Sequence, residues 1–323
     1  MNPAFSVILF TTVSGLGFGL CCWVGLDYAL HGPNDNEFGS TVRLMALLIG
    51  GLLVSSGLFA SFWHLGKPLR AWRAFSQWRS SWLSREGVCA MLSFVPMGVL
   101  VLIDEQTASP WTVRIAGLAL SLLSLATVYC TAMIYASLKT VPAWRHRLVV
   151  PGYLLFALVS GFFALLPWGG IPGAFELIWR FHIPLPYGFV AGTELLLPLA
   201  ALWWLKHRYW RDIDRDDGLP TRGDAVGLSG RDVRTFERPA TEATYLQREM
   251  GFVLARRHAR KLRRIAVLLF AVVPAVCALI VVLWWHSPHV MLMTFAMLSL
   301  LFGAIVERWL FFAEARHVVT LYD

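Results

Sequence analysis

The chain has 323 residues, 57% of them hydrophobic and only 15% charged, with a formal net charge of +8 and a mean hydropathy of +0.60. Soluble domains average about 25% charged residues, so this composition excludes an ordinary soluble enzyme, a disordered chain and a disulfide scaffold. At roughly 20 residues per crossing, the length suits a polytopic bundle of membrane helices.

Eight apolar stretches are read in chain order, at about 5–30, 41–63, 86–103, 112–136, 149–168, 184–205, 265–285 and 289–312. Trp63, Trp203, Trp204, Trp284 and Trp285 cluster near their ends, where amphipathic rings suit the membrane interface. No strand alternation competes. The predicted fold is therefore all-α, a bundle of eight transmembrane helices in three parts. Residues 1–205 carry six helices, 206–264 a polar loop with an amphipathic helix, and 265–323 two helices and a tail.

In the first stretch, Gly15, Gly17 and Gly19 lie within a span, which points to small-residue helix packing through Gly15 and Gly19 rather than to a nucleotide loop. The first 42 residues hold no Lys or Arg, which argues against a cleaved signal peptide. Basic residues crowd alternate connections, with five in 64–85, three in 137–148 and fifteen in 206–264, which is 23 of the 28 in the chain. The positive-inside rule places that side, and both termini, in the cytoplasm. The charge therefore reports orientation. It lies in loops beside spans rather than on a compact basic fold, so no nucleic-acid partner is expected.

The connection between the second and third spans is the most informative segment: HLGKPLRAWRAFSQWRSSWLSRE, His64 to Glu86. Pro68 ends or bends the span, Gly66 permits close approach, and residues 68–79 can form a short interfacial helix. Arg70 and Arg73 share a face, with Trp72 and Phe75 on an adjacent one. Such a set suits a quinone. Its headgroup needs donors to two carbonyl oxygens, a proton source and an apolar slot for the tail. His64 titrates near neutrality, Glu86 can relay protons, and Arg70 or Arg73 can stabilise a developing anion. Each also has a plainer role. His64 and the arginines serve equally as interface anchors, and Glu86 can complement a helix N-terminus capped by Ser84.

Further along, Glu194 falls near the middle of the sixth span, where an ionisable group is costly and marks either a proton path or a paired core residue. Glu307 and Arg308 sit toward the inner end of the eighth span, as a structural pair or as lining of the same inner pocket. These three form a candidate proton path. From about Thr241, the run TEATYLQREMGFVLARRHARKLRR reads as an amphipathic helix that meets anionic lipid or a soluble partner. The five cysteines lack CxxC spacing, and no two of the nine histidines face each other at mid-membrane depth, so neither a metal site nor a haem is expected on this chain. There is no Walker, HExxH or GxSxG motif.

HLGKPLRA followed by SWLSRE, and TVPAW at Thr140 to Trp144, resemble signature segments of the membrane-anchor subunits of dimethyl sulfoxide reductase-type complexes, the DmsC family. The resemblance implies a subunit of the bacterial inner (cytoplasmic) membrane that binds quinone (ubiquinone or menaquinone) and no haem. It implies two partners, an iron–sulfur subunit with [4Fe-4S] clusters and a catalytic subunit with a molybdenum bis-pterin cofactor. His64, Gly66, Arg70 and Glu86 fall on the family's quinone-linked motif positions. The segments ERWLFFAEARHVVTLYD and TEATYLQREMGFVLARRHARKLR are similar to anchors of cytoplasmic sulfite-oxidising complexes. The expected function is passage of electrons from sulfite oxidation to quinone. A quinol-oxidising anchor of a dimethyl sulfoxide or other sulfur-compound reductase is the alternative, and a secondary transporter is the alternative of another class.

Overall fold

A computed structural model describes residues 4–33, 37–62, 67–105, 107–168, 187–215, 221–234, 236, 254–284 and 289–318. Among these the structure is helical, without strands. The main elements are α1 (Phe5–His31), α2 (Glu37–Phe62), α3 (Trp82–Leu102), α4 (Pro110–Ala136), α5 (Val149–Leu165), α6 (Tyr187–Arg215), α7 and α8 (His289–Ala313). Helix α7 joins Leu254–Val267 and Val273–Leu283 through a wide π turn at Leu268–Val272. Among the described residues, six helices are long and apolar enough to cross a membrane: α1, α2, α3, α4, α7 and α8. Helix α5 is apolar but has only 17 residues, and α6 is a 29-residue helix whose last turns are charged.

Helix α1 is the axis of the packing, in contact with α2, α4 and α5. Glycines make this possible. A Cβ on Gly19 would lie 1.8 Å from the Ala157 carbonyl oxygen, and one on Gly161 would lie 2.1 Å from the Gly19 carbonyl carbon. Gly25 and Gly117 let α1 and α4 meet in the same way, each hypothetical Cβ falling 2.6 Å from the other's carbonyl oxygen. Without a hydrophobic force between helices in lipid, such backbone proximity is what holds them together. The expected small-residue packing is thus present at Gly19, but a Cβ on Gly15 would meet nothing within 4 Å, so no close helix contact needs a glycine there; the close approaches are at Gly19, Gly25, Gly117 and Gly161.

Two irregular turns have local causes. In α1 the segment Phe10–Ser14 is π-helical. There the Thr11, Thr12 and Ser14 hydroxyls donate to the carbonyls of Val7, Ile8 and Phe10 at 3.0, 2.8 and 2.6 Å, competing with the backbone for its acceptors. In α7 the π turn runs up to Pro274, which has no N–H to continue the ladder.

The apolar run of the sixth span ends at Leu205, yet α6 continues to Arg215. Lys206, Tyr209 and Trp210 are therefore helical and buried, not part of a loop. The described part of the expected amphipathic helix, from Leu254, runs straight into the seventh span. The stretch around Thr241 lies outside the described residues.

At the end of the bundle that carries the basic connections, three clamps join distant elements. Trp144 Nε1 donates to the Phe311 carbonyl at 2.9 Å, Tyr209 Oη to the Ala143 carbonyl at 3.2 Å, and Val318 N to the Thr140 carbonyl at 3.0 Å. The TVPAW segment thereby fastens the ends of α6 and α8. Arg263 of α7 adds bonds to Asp214 of α6, the shortest 2.6 Å, and to Glu314 beyond α8, the shortest 2.9 Å.

Candidate functional site

The His64–Glu86 connection folds back along the start of α3. Residues Pro68–Gln77 form a 3₁₀ helix rather than an α-helix. With three residues per turn, positions three apart eclipse one another. Arg70 and Arg73 then align in one row and Trp72 and Phe75 in a second, with Trp78 and Arg79 in the turn that follows. Both rows are largely exposed, Trp72 at 66%, so the segment offers a cationic edge and an aromatic edge to the membrane interface. Each guanidinium lies near its neighbouring indole: Arg73 is 5.7 Å from the Trp72 ring and Arg79 is 5.6 Å from the Trp78 ring.

The segment is pinned to α3. The Ser84 hydroxyl donates to the Ala74 carbonyl. Arg85 donates to the carbonyls of Trp78 and Arg79 at 3.0 and 2.7 Å, with its guanidinium 4.3 Å from the Trp82 ring centre. Phe75 lies against Gly87, where a Cβ would approach the ring to 2.9 Å. The cap of α3 is Ser81, which accepts from the Ser84 amide at 3.5 Å, and not Ser84. Glu86 lies beyond the first turn and bonds Thr131 of the neighbouring helix, so the capping role open to it in sequence is not the one it plays.

Glu86 is 3% exposed and faces α4, where the Thr131 hydroxyl bonds its carboxyl. Thr131 also lies 3.0 Å from the Thr127 carbonyl, within reach of the same hydroxyl. Arg70 and Arg73 remain on the exposed 3₁₀ row, beside the turn that carries Glu86 but outside the packed interior. His64 and Gly66 lie outside the described residues.

Beyond Thr131 lies a void of about 20 Å³ between α1, α4, α5 and α8. Its wall includes the α1 π turn, Ser160, Tyr153 and Arg308. The Tyr153 hydroxyl is buried with no hydrogen-bond partner, while the Arg308 guanidinium sits 3.5 Å from its ring centre. Glu307 is fully buried and is flanked by two cations, Lys206 in close contact and Arg308 Nε at 3.5 Å. Lys206 in turn is 4.1 Å from the Tyr209 ring centre. Tyr209 packs edge-on against His146, whose Nε2 is 3.5 Å from Asp212 near the surface. Burial holds His146 below the usual imidazole pKa, against the opposing pull of Asp212.

Glu307 and Arg308 are therefore core residues of one cluster, which also contains Lys206, Tyr153 and Thr131. The sequence concealed these three: Lys206 sits within a tryptophan- and arginine-rich run that reads as an interface belt, and a lone Tyr or Thr on an apolar helix carries no signal. Glu194 is partly exposed on α6, which also carries Lys206 about three turns further along.

Residues 1–169 match the family model described as DMSO reductase anchor subunit (DmsC). A sulfite dehydrogenase subunit of Allochromatium vinosum is 30% identical over 100% of this chain and 98% of its own length. The chain belongs to the family of DMSO reductase anchor subunits. Two Escherichia coli proteins, both anaerobic dimethyl sulfoxide reductase chains, are similar over shorter stretches. One of them, YnfH, is 28% identical over 48% of this chain and 54% of its own, and the other is 27% identical over 41% and 47%. The 3₁₀ segment, Glu86 and the TVPAW clamp all fall inside the matched portion of this anchor, whereas Lys206, Glu307 and Arg308 fall beyond it.

Proposed function

We propose that this chain is the quinone-reactive membrane anchor of a molybdenum/iron–sulfur oxidoreductase complex, and that it passes electrons from sulfite oxidation on the cytoplasmic side to the quinone pool. The observation that carries the reading is Glu86: a buried carboxyl one turn inside α3, between residues that pin a segment with exposed arginines and aromatic rings to that helix. The full-length similarity to a sulfite dehydrogenase subunit favours sulfite as the partner's substrate. In this reading α5 and α6 complete an eight-span bundle, and the basic end faces the cytoplasm, where an iron–sulfur subunit docks beside a molybdopterin subunit.

These residues fit a quinone by chemistry. Quinone accepts two electrons and two protons to become quinol. His64 and Glu86 bind the carbonyl oxygens and hold the protons, Gly66 lets the backbone approach, and Arg70 and Arg73 offset negative charge at the rim. Trp72, Phe75 and Trp78 give the tail an apolar border at the interface. The two E. coli relatives support a second direction, quinol oxidation for a reductase, through the same residues. A transporter reading has less support, since the relatives that match are subunits of oxidoreductases and Glu194 is only partly buried.

The test uses the assembled complex. His64→Ala, Arg70→Ala and Glu86→Gln are expected to lose quinone-linked turnover by about 100-fold, the scale of a lost acid–base or charge-stabilising group. Turnover with an artificial dye that accepts electrons from the soluble subunits stays at the parent level. Normal quinone turnover in all three variants would overturn the site. Sulfite-driven quinone reduction, against quinol-driven reduction of a sulfoxide, decides the direction.

A further inference from the structure

We infer that the buried polar cluster between Glu86 and His146 is a proton route that joins the quinone site to the basic end of the bundle, with one water molecule held beside Tyr153. This deepens the quinone reading and rests on it.

The groups adjoin one another, and Arg308 borders both of the small voids between them. From Glu86 the next hydroxyl is Thr131, which bonds the carboxyl. Behind Thr131 is the void of about 20 Å³, room for one water. Its polar lining is what a water needs. Tyr153 brings a hydroxyl with no other partner. The Thr11, Thr12 and Ser14 hydroxyls of the π turn already spend their protons on their own helix and keep lone pairs to accept. Arg308 on the same wall is a fixed donor. A dry cavity of this lining would leave the Tyr153 hydroxyl unpaired in the core, which is costly; one water removes that cost. π-Helical turns often mark functional sites, and this one forms the cavity wall.

Past Arg308 the path reaches Glu307 and Lys206, the two interior groups that can exchange a proton, and a second void of about 10 Å³ bounded by Lys206, Tyr209 and Arg308. Tyr209 then abuts His146, which pairs with Asp212 where the protein meets solvent. Arg308 keeps its proton and acts as a positioning residue. It holds the water and keeps Glu307 between two cations.

The balance closes simply. Reduction of one quinone takes two electrons from an iron–sulfur cluster of the partner and two protons. The protons enter at His146, move through the cluster to Glu86 and end on the two quinone oxygens. Quinol oxidation runs the same path outward.

The test is made on the assembled complex with Tyr153→Phe, Thr131→Val and Thr131→Ser. Four readouts are taken: quinone-linked turnover, dye-linked turnover, affinity for a quinone-analogue inhibitor, and the solvent deuterium isotope effect on quinone turnover. Tyr153→Phe and Thr131→Val should each lower quinone-linked turnover by at least about tenfold and raise the isotope effect, as loss of a proton relay does. Dye turnover and inhibitor affinity stay unchanged, and Thr131→Ser, which keeps the hydroxyl, restores the parent rate. A purely structural cluster would not move the isotope effect. Quinone turnover and isotope effect at parent levels in both Tyr153→Phe and Thr131→Val would overturn the route while leaving the quinone site standing. Failure of the parent complex to bind the inhibitor at all would instead overturn the site, and the route with it.

Discussion

The bundle has a buried charged cluster at each end, and the two are built on opposite plans. At the end away from the basic connections, Arg43 of α2 binds Asp27 of α1 at 2.7 Å, the Gly32 carbonyl at 2.8 Å and Glu105 at 3.4 Å. Tyr28 donates to Glu105 at 3.0 Å, and His31 Nδ1 lies 2.9 Å from Asp27. Every group there is held by a partner, and the cluster ties α1, α2 and the α3–α4 connection into one knot. At the basic end, Tyr153 has an unpartnered hydroxyl, two small voids interrupt the packing, and Glu86 rests on a single threonine. A closed network fixes helices. An open one, at the same cost in buried charge, leaves room for a proton to move.

That contrast breaks most sharply at the ion pairs. Arg43→Ala strands Asp27 in the interior and should cost about 3–5 kcal/mol, the scale of a broken buried pair, read as loss of thermal stability of the purified complex. Its quinone turnover per assembled complex should stay at the parent value. Glu307→Gln leaves Lys206 and Arg308 as neighbouring buried cations and should cost a similar amount. Here the double variant Lys206→Met/Glu307→Gln should recover much of that stability, since paired removal is far less costly than removal of one partner, yet quinone turnover should remain low. Recovery of both stability and turnover would make the inner cluster a mere second clamp.

The two tyrosines sharpen the comparison at smaller scale. Tyr28→Phe deletes a hydrogen bond to a charged protein partner and should cost about 1 kcal/mol, whereas the Tyr153 hydroxyl has no protein partner and bonds only the inferred water, so Tyr153→Phe should lower the melting temperature less than Tyr28→Phe does. A larger loss for Tyr153→Phe would mean that its hydroxyl ties helices together. The smallest effect concerns pH. His146 is surrounded by Asp212, Arg147 and Lys206, and burial lowers its pKa. The unfolded protein then binds the proton more readily. The associated stability is complete above the ordinary imidazole value of about 6.5 and is lost as pH falls through the lower folded value. Thermal unfolding followed from pH 7 downward should therefore fall more steeply for the parent than for His146→Gln.

Much of the fold was readable because the bilayer restricts the choices. Apolar runs of span length must be helices, and the basic loops alternate with them. The helical character of the described parts of these stretches and the glycine contact at Gly19 follow from that. The 3₁₀ geometry of Pro68–Gln77 left a trace that an α-helical reading overlooks: Arg, Trp and Phe recur at intervals of three, not at three and four. Other features left none. Glu86 at a span start reads equally as a cap or as a rim group, and only packing of α3 on α4 turns it toward Thr131. Lys206 belongs by composition to a basic loop. It is the extension of α6 and the carboxylate of Glu307, about 100 residues away in sequence, that bring it inside. The Asp27–Arg43 knot was hidden for the same reason, since Arg43 and Arg114 read only as minor counts in the alternate connections, whereas the fold sets Arg43 against Asp27 and Glu105 and Arg114 against the His31 carbonyl.

The central claim is that quinone reacts beside the turn that carries Glu86, beneath the 3₁₀ segment. Photolabelling of the assembled complex with an azidoquinone, followed by peptide mapping, tests it most directly. The label should fall on peptides from residues 64–86, be displaced by excess quinone, and disappear from Glu86→Gln. Label confined to peptides of the opposite end, around Tyr28 and Arg43, would contradict the account.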